Sequence, residues 1–213
     1  MSTPLKMPTP ELVKAACRQF DSENALVEQT LTELFHLYST NSNPSQVLLK
    51  VAAVNALYRT SILALQTVAE HISANHKEID AALAAGAPEI VDTIARIKVK
   101  GQLFNFFSFA SKYASWHNPA AYPIYDSHVD AYLWKLQKED HFFSFLHPDL
   151  WTYPKFLKIM AEFRSFHGLK AFSFKDIDKF LYLEGAPHAP LPPQDQPTGP
   201  GAFDYYPAEE IQA

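Results

Sequence analysis

The chain is short of cysteine, of glycine and of long apolar runs, and each shortage closes off a class of protein. Its one cysteine, Cys17, excludes an internal disulfide and any four-thiolate iron or zinc site, and points to a reducing cytoplasm. Its six glycines form no phosphate-cradling loop, and neither a G-x-S-x-G nor an H-E-x-x-H motif is present. No stretch approaches the roughly 18 uninterrupted apolar residues of a membrane span. The opening MSTPLKMPTPEL lacks both the basic and the apolar segment of a secretory signal. The expectation is a cytoplasmic protein with no membrane partner. Nine histidines raise the question of a metal, but His117, His128, His141, His147 and His167 lack paired ligand spacing, so no metal and no cofactor are expected. The remaining composition, 47% hydrophobic and 19% charged, is that of a soluble globule with one sizeable core or two small lobes.

The net charge of −5 argues against nucleic acid until it is divided along the chain. Residues 1–93 carry 6 Lys and Arg against 10 Asp and Glu, residues 94–184 carry 12 against 9, and residues 185–213 carry none against 4. The central stretch is therefore mildly basic, with Arg96, Lys98 and Lys100 as its densest cluster. Such a cluster contacts phosphates or forms a solvated helix face.

From Gly185 onward the chain is so rich in Pro and Gly, and so poor in aliphatics, that it cannot offset its ordering entropy. Residues 186–213 are expected to be a flexible tail, in which Phe203, Tyr205 and Tyr206 could dock. Residues 1–10, with three prolines, are expected to be a similar leader. Between them, residues 11–185 read as helix after helix with no internal repeat. Leu31, Leu34, Phe35 and Tyr38 fall at i, i+3, i+4, i+7, as do Leu48, Val51, Ala52 and Asn55 after a Pro44-Ser45 start. A turn near Thr60-Ser61 is followed by a further helix to about His71. Pro88-Glu89 opens one that runs to about Lys98, and QLFNFFSFASKYASW resumes the pattern after Gly101. Helices are expected near 126–137, 153–167 and 174–184, the last opened by Ser173 and Asp176 in a capping-box arrangement. Strand signals are scarce, so the fold class is all-α.

Helix, tight turn at Val99-Lys100-Gly101, helix, loop, and an aspartate opening the next helix form an ordered set of parts. With PIYDSHV at Pro123–Val129, this order resembles the helix-hairpin-helix DNA glycosylases, whose catalytic aspartate lies in a Val-Asp-Thr-His-Val type segment. Asp126, Ser127, His128 and Val129 match Asp, Thr, His and Val. LLKVAAVNALYRTSILALQTV, Leu48–Val68, is similar to the family's helix-turn-helix, with Thr60 and Tyr58 at the positions of the Thr and the Gln of its Ser-x-Gln-x-Thr turn. FKDIDKFLYLEG resembles the family's returning C-terminal helix. The resemblance spans roughly residues 30–185 and implies two helical lobes, approximately 45–125 and 11–44 plus 126–185, with a cleft between them. The hairpin departs from the family in holding one glycine, and Phe104 or Asn105 stands where strand-cleaving members carry a lysine. The implied activity is that of a monofunctional DNA N-glycosylase, a monomer that acts on double-stranded DNA and hydrolyses a modified base away. A damaged base would make the role repair; a hypermodified phage base would make it defence.

That chemistry needs few groups. Breaking the bond between base and deoxyribose builds an oxocarbenium-like cation, which one fixed carboxylate stabilises while it orients the attacking water. Asp126 is the candidate, although Asp is also among the best helix N-caps. Ser127 and His128 are candidates for phosphate or water contacts, with capping and structural packing as their other roles. A base out of its stack needs aromatic faces and edge hydrogen bonds. Asn105 is the polar reader, and Trp116, His117 and Tyr125 flank the loop before Asp126. Tyr58 is a candidate wedge for the vacated stack, with Arg59 on a phosphate. Asn55, Lys100, Gly101 and Lys112 complete the candidate DNA-binding set. A non-catalytic DNA-binding or protein-interaction module of the same helical fold is the alternative.

Overall fold

The computed structural model describes residues 5–185. Both the tail beyond them, with Phe203, Tyr205 and Tyr206, and the first four leader residues lie outside the described residues. Among the described residues the protein is predominantly helical, with nine α-helices, one 3-10 turn and a single two-stranded hairpin.

Helix α1 (Pro10–Leu37) starts at Pro10 with the Thr9 hydroxyl accepting from the Leu12 N–H. It is buried only toward its ends, at Val13 and Ala16 and again at Leu31 and Phe35, so its middle crosses the molecule as a strap. Helix α2 (Pro44–Tyr58) is capped by the Asn43 side chain, which accepts from Ser45 and Gln46, and it stops at Arg59 in the left-handed region, φ 54°. Helices α3 (Leu65–Ala74), α4 (His76–Ala85) and α5 (Glu89–Ala95) follow, and Gly86 at φ 72° supplies the left-handed residue that ends α4.

The expected helix from Pro88 to about Lys98 is cut short, and the four residues after Gly101 are not helical. Strands β1 (Arg96–Val99) and β2 (Gln102–Asn105) pair antiparallel, with Arg96 opposite Asn105 and Val99 opposite Gln102. Arg-Ile-Lys-Val alternates polar and apolar, which buries Ile97 between exposed Arg96 and Lys98. Lys100 and Gly101 both take positive φ, 51° and 86°, the pattern of a two-residue type I′ turn. The helical reading of the fold holds among the described residues, and its one departure is local: a short β-hairpin stands where two helices were expected to meet at a tight turn.

Helix α6 (Phe107–His117) is the axis of the core, with a continuous buried run from Phe109 to Ser115. Its alanines, Ala110 and Ala114, let neighbouring helices approach, while Phe109 and Tyr113 fill the space between them. Helix α7 (Ser127–Asp140), the 3-10 turn His147–Trp151, helix α8 (Tyr153–Phe166) and helix α9 (Phe174–Gly185) complete the fold. The capping box at Ser173 and Asp176 forms as the sequence implies, each donating a backbone N–H to the other's side chain. Residues 5–9 lie against α7 and α9, where the Lys6 carbonyl accepts from Tyr132 at 2.6 Å and the Lys6 amine pairs with Glu184 at 2.8 Å.

Helix α9 reaches the start of α7 at a point with no room for a side chain. A Cβ on Gly185 would fall 2.1 Å from the His128 carbonyl oxygen and 2.6 Å from its carbon. Gly185→Ala is expected to cost roughly 1–3 kcal/mol through overpacking, read as a lower urea midpoint. An unchanged midpoint would show that the two helices part freely there.

Candidate active site

Asp126 is carried by the loop between α6 and α7, and three elements hold that loop. Tyr153 of α8 donates its hydroxyl to the Pro123 carbonyl at 2.7 Å. Asp178 of α9 accepts from the Ile124 N–H at 2.8 Å. Ser111 of α6 accepts from the Tyr125 N–H at 3.0 Å. Three successive residues are therefore anchored to three helices, and the next is Asp126.

Asp126 is extended, φ −154° and ψ 178°, and its Oδ1 accepts from the N–H groups of His128 and Val129, both at 3.0 Å. It is thus the N-cap of α7, as the residue type implied. One oxygen does that work. Among the described residues Oδ2 has no hydrogen-bond partner, and Asp126 lines a cleft of about 610 Å³.

The cleft runs between α1, the α2–α3 turn, the start of α6, the loop before α7, and α9. Of the residues singled out from the sequence, it brings Tyr58, Arg59, Asn105, Lys112, Tyr125, Ser127 and His128 together with Asp126. Lys112 is 3% exposed, donates to the Ser108 hydroxyl, and lies 3.4 Å from the Tyr125 carbonyl. Its Nζ stands 5.7 Å from the centre of the Tyr58 ring. Tyr125 borders the cleft, but its ring packs edge-on against Phe107 and Phe156 and its hydroxyl donates to Asp130, so it belongs largely to the core. His128 faces α9, its Nδ1 3.2 Å from the Tyr182 carbonyl.

Other sequence expectations are corrected. Tyr58 does not project as a wedge: its hydroxyl accepts from Trp116 Nε1 at 3.1 Å, and it forms a wall of the cleft. Burial, with the nearby Glu28 carboxylate, pushes that hydroxyl's pKa well up, so it stays protonated. Trp116 lies behind Tyr58 with Lys175 Nζ 3.8 Å from its ring centre, and it does not border the cleft. Asn55 is spent on the α2–α3 turn, where it accepts from Thr60 and the Ile62 N–H and donates to the Ile62 carbonyl. Lys100 and Gly101 sit at the hairpin tip, outside the cleft lining. His117 belongs to a buried cation site. There Lys50, wholly inaccessible, donates toward the carbonyls of Tyr38 and Thr40, Asn41 Oδ1 and His117 Nε2. Among the described residues no group of three His, Cys, Asp or Glu side chains converges as a metal site would require.

Two cleft walls were missed in the sequence. Phe20, Asn24, Val27 and Glu28 line it from the middle of α1, and Lys175, Asp178, Lys179 and Tyr182 line it from α9. Both sets follow helical spacing, so the signal was present; in each it is carried by mixed polar and apolar residues, which an apolar periodicity does not detect. Ion pairs Lys175–Glu28 and Lys179–Asp21, each 2.5 Å, join the two walls. Asp178 is 6% exposed, and its buried Oδ1 has no hydrogen-bond partner among the described residues. Burial pushes its pKa well above the carboxylate range; the Asp126 charge adds to this, and the Ile124 N–H and the Lys175 and Lys112 charges oppose it.

Comparison with known proteins places this architecture in a family. The N-terminal domain described as HI_0787_N matches residues 12–121, from the start of α1 to the loop before Asp126. A Haemophilus influenzae protein (strain ATCC 51907 / DSM 11121 / KW20 / Rd), described as uncharacterized, is similar to the chain at 36% identity over 160 residues, 75% of either chain. No solved structure matches.

The His117 site predicts a pH dependence. Burial first, and then the Lys50 charge, pushes His117 from 6.5 down to about 3. Between those values the unfolded chain binds a proton that the folded one refuses, so stability is intact above about 6.5 and falls as pH drops toward 3. His117→Gln keeps an acceptor for Lys50 but cannot be protonated. Unfolding free energies from urea titrations at pH 7 and 5 are expected to differ by on the order of 1–2 kcal/mol more in the unmodified protein than in the variant. Equal differences would refute the assignment.

Proposed function

The chain belongs to the HI_0787_N family, and from its cleft we propose that it is a DNA N-glycosylase that hydrolyses the bond between a modified base and its deoxyribose. The observation that carries this reading is the divided role of Asp126. One oxygen is pinned by two backbone N–H groups, and the other is left to the cleft. A carboxylate fixed in that way needs no reorganisation to stabilise a cationic sugar, and it can accept the proton of an attacking water.

The surroundings suit the substrate. At about 610 Å³ the cleft falls within the roughly 300–1,000 Å³ common for small-molecule sites, room for one extruded nucleotide. Phe20, Tyr58, Phe107 and Tyr182 offer flat apolar faces, and Asn105 and Ser108 offer edge hydrogen bonds. Arg59 stands on the wall, where a phosphate flanking a displaced nucleotide would lie, and Lys175 and Lys179 stand there paired with Glu28 and Asp21.

A second reading has Lys112 behind it. Its amine lines the same cleft, and a lysine there could attack the sugar carbon and lead to strand cleavage. The amine is occupied by the Ser108 hydroxyl and approaches the Tyr125 carbonyl, so hydrolysis is the favoured course.

Asp126→Asn isolates the chemistry, because Asn caps a helix as well as Asp and stability should be retained. Base release from a panel of modified duplexes, followed as alkali-labile sites, should fall by about 100-fold or more, while salt-dependent DNA binding persists. Release at the original rate would remove Asp126 from the mechanism. Binding by both forms with release by neither would select the non-catalytic module. Borohydride should trap no covalent protein–DNA adduct; an adduct lost in Lys112→Gln would establish the lysine route instead.

A further inference from the structure

The hairpin between α5 and α6 has two unlike faces. Ile97, Val99 and Phe104 pack on the core, and the rings of Phe104 and Phe106 stack with centres 5.7 Å apart at 8°. The Phe106 N–H also donates to the Ala95 carbonyl at 2.9 Å, so the hairpin is clamped where α5 ends and α6 begins. The other face carries Arg96 and Lys98 on β1 and, directly across from them, Asn105 and Leu103 on β2. Arg96, Lys98 and Leu103 are exposed there, as is Lys100 in the turn. Among the described residues none of the three cations forms an ion pair. A Cβ on Gly101 would meet nothing within 4 Å, so the tip stands clear of the fold.

That face leads out of the cleft. Asn105 lines the cleft, and Arg96 is its partner in the register. Leu103 and Lys98, the next pair on the same face, follow two residues along the strands, roughly 7 Å further out. A helix would scatter residues 96, 98 and 100 around its circumference, whereas a strand sets residues two apart in a row. The step of that row, roughly 6.5–7 Å, is close to the spacing of neighbouring phosphates on one nucleic-acid strand. An exposed leucine means little by itself; Leu103 is set across from a cation and one step from a residue of the cleft. A nucleotide drawn into the cleft leaves a gap in its duplex, and Tyr58, held by Trp116 as a cleft wall, does not fill it.

We propose, resting on the reading of the cleft as a DNA site, that the hairpin is the element that holds the duplex open. Leu103 enters the stack beside the extruded nucleotide, as apolar wedges do at unstacked base steps. Arg96 and Lys98, with Lys100 at the tip, follow the phosphates of one strand. The partner is double-stranded DNA with one position unstacked, and the clamped inner face gives the wedge a rigid base.

The test measures binding of the full chain, by fluorescence anisotropy over a range of salt, to three DNAs of one sequence: a paired duplex, a duplex with a tetrahydrofuran abasic analogue, and the single strand. The unmodified protein should prefer the duplex with the gap. Leu103→Ala should lose about 10-fold on that duplex, keep its affinity for the single strand and keep its salt slope. Leu103→Met, apolar and of similar reach, should retain the preference. Arg96→Gln with Lys98→Gln should keep the preference while its slope of log affinity against log salt falls by about 2. All these positions are exposed, so urea midpoints should not move. No loss in Leu103→Ala, an equal loss on the single strand, a loss in Leu63→Ala at the exposed α2–α3 turn in its place, or an unchanged slope in the double variant would each overturn the proposal. Base release is followed separately. Release that persists while the hairpin variants bind unchanged would leave the glycosylase reading standing alone, and the expected binding pattern with no release would leave the hairpin standing without it. No salt-dependent affinity for any of the three DNAs would overturn both.

Discussion

The hydrogen bond from the Ile124 N–H to Asp178 Oδ2, 2.8 Å long, joins the last helix to the loop that presents Asp126. The loop has no regular structure of its own to stiffen it, and its backbone groups need partners because they are buried. Asp178 supplies one from α9, as Tyr153 does from α8 and Ser111 from α6. Each contact crosses a long span of sequence, so the cleft is assembled only when the whole domain has closed. The same contact fixes Asp178 beside the cleft as a structural tie between α9 and the loop.

Helix α1 follows from the same constraint. The cleft is lined by Asp126, Asp178 and several lysines, so between Ala16 and Leu31 the helix crossing it buries little: Cys17 and Val27 pack half-buried against the core and Phe20 meets Tyr182 edge-on. Charge adds to that hold, through Asp21 to Lys179 and Glu28 to Lys175. The fully buried positions of α1 lie toward its ends, while these half-buried pairs tie its middle to α9.

Much of this was legible in the residues, and the failures have definite causes. Capping signals succeeded where a side chain meets the backbone locally: Asn43 before Pro44, Asp126 before Ser127, and Ser173 with Asp176 all cap as their types require. The hairpin was misread because Arg-Ile-Lys-Val and Gln-Leu-Phe-Asn are short and their neighbours helical; only the pairing across Lys100-Gly101 turns them into strands. The site was half legible. Asp126, Tyr58 and Lys112 converge from three helices, but Asn55 and His117 satisfy buried groups that no local pattern reveals. Asp178 went unread because an aspartate inside an amphipathic helix looks like surface, and only tertiary packing makes it 6% exposed.

The contrast between the two aspartates shows why residue type alone cannot assign a role here. Both open onto one cleft, and both hold a backbone N–H of the same stretch of chain. Asp126 receives two such donors at the start of α7. Asp178 receives one, deep in the fold, where burial pushes its pKa well above the carboxylate range. One side chain is thus a helix cap with an oxygen to spare, and the other a buried tie between α9 and the loop. That separation is written in the packing of α9 against the loop, which is why its chemistry emerges only once the distant parts of the chain have met.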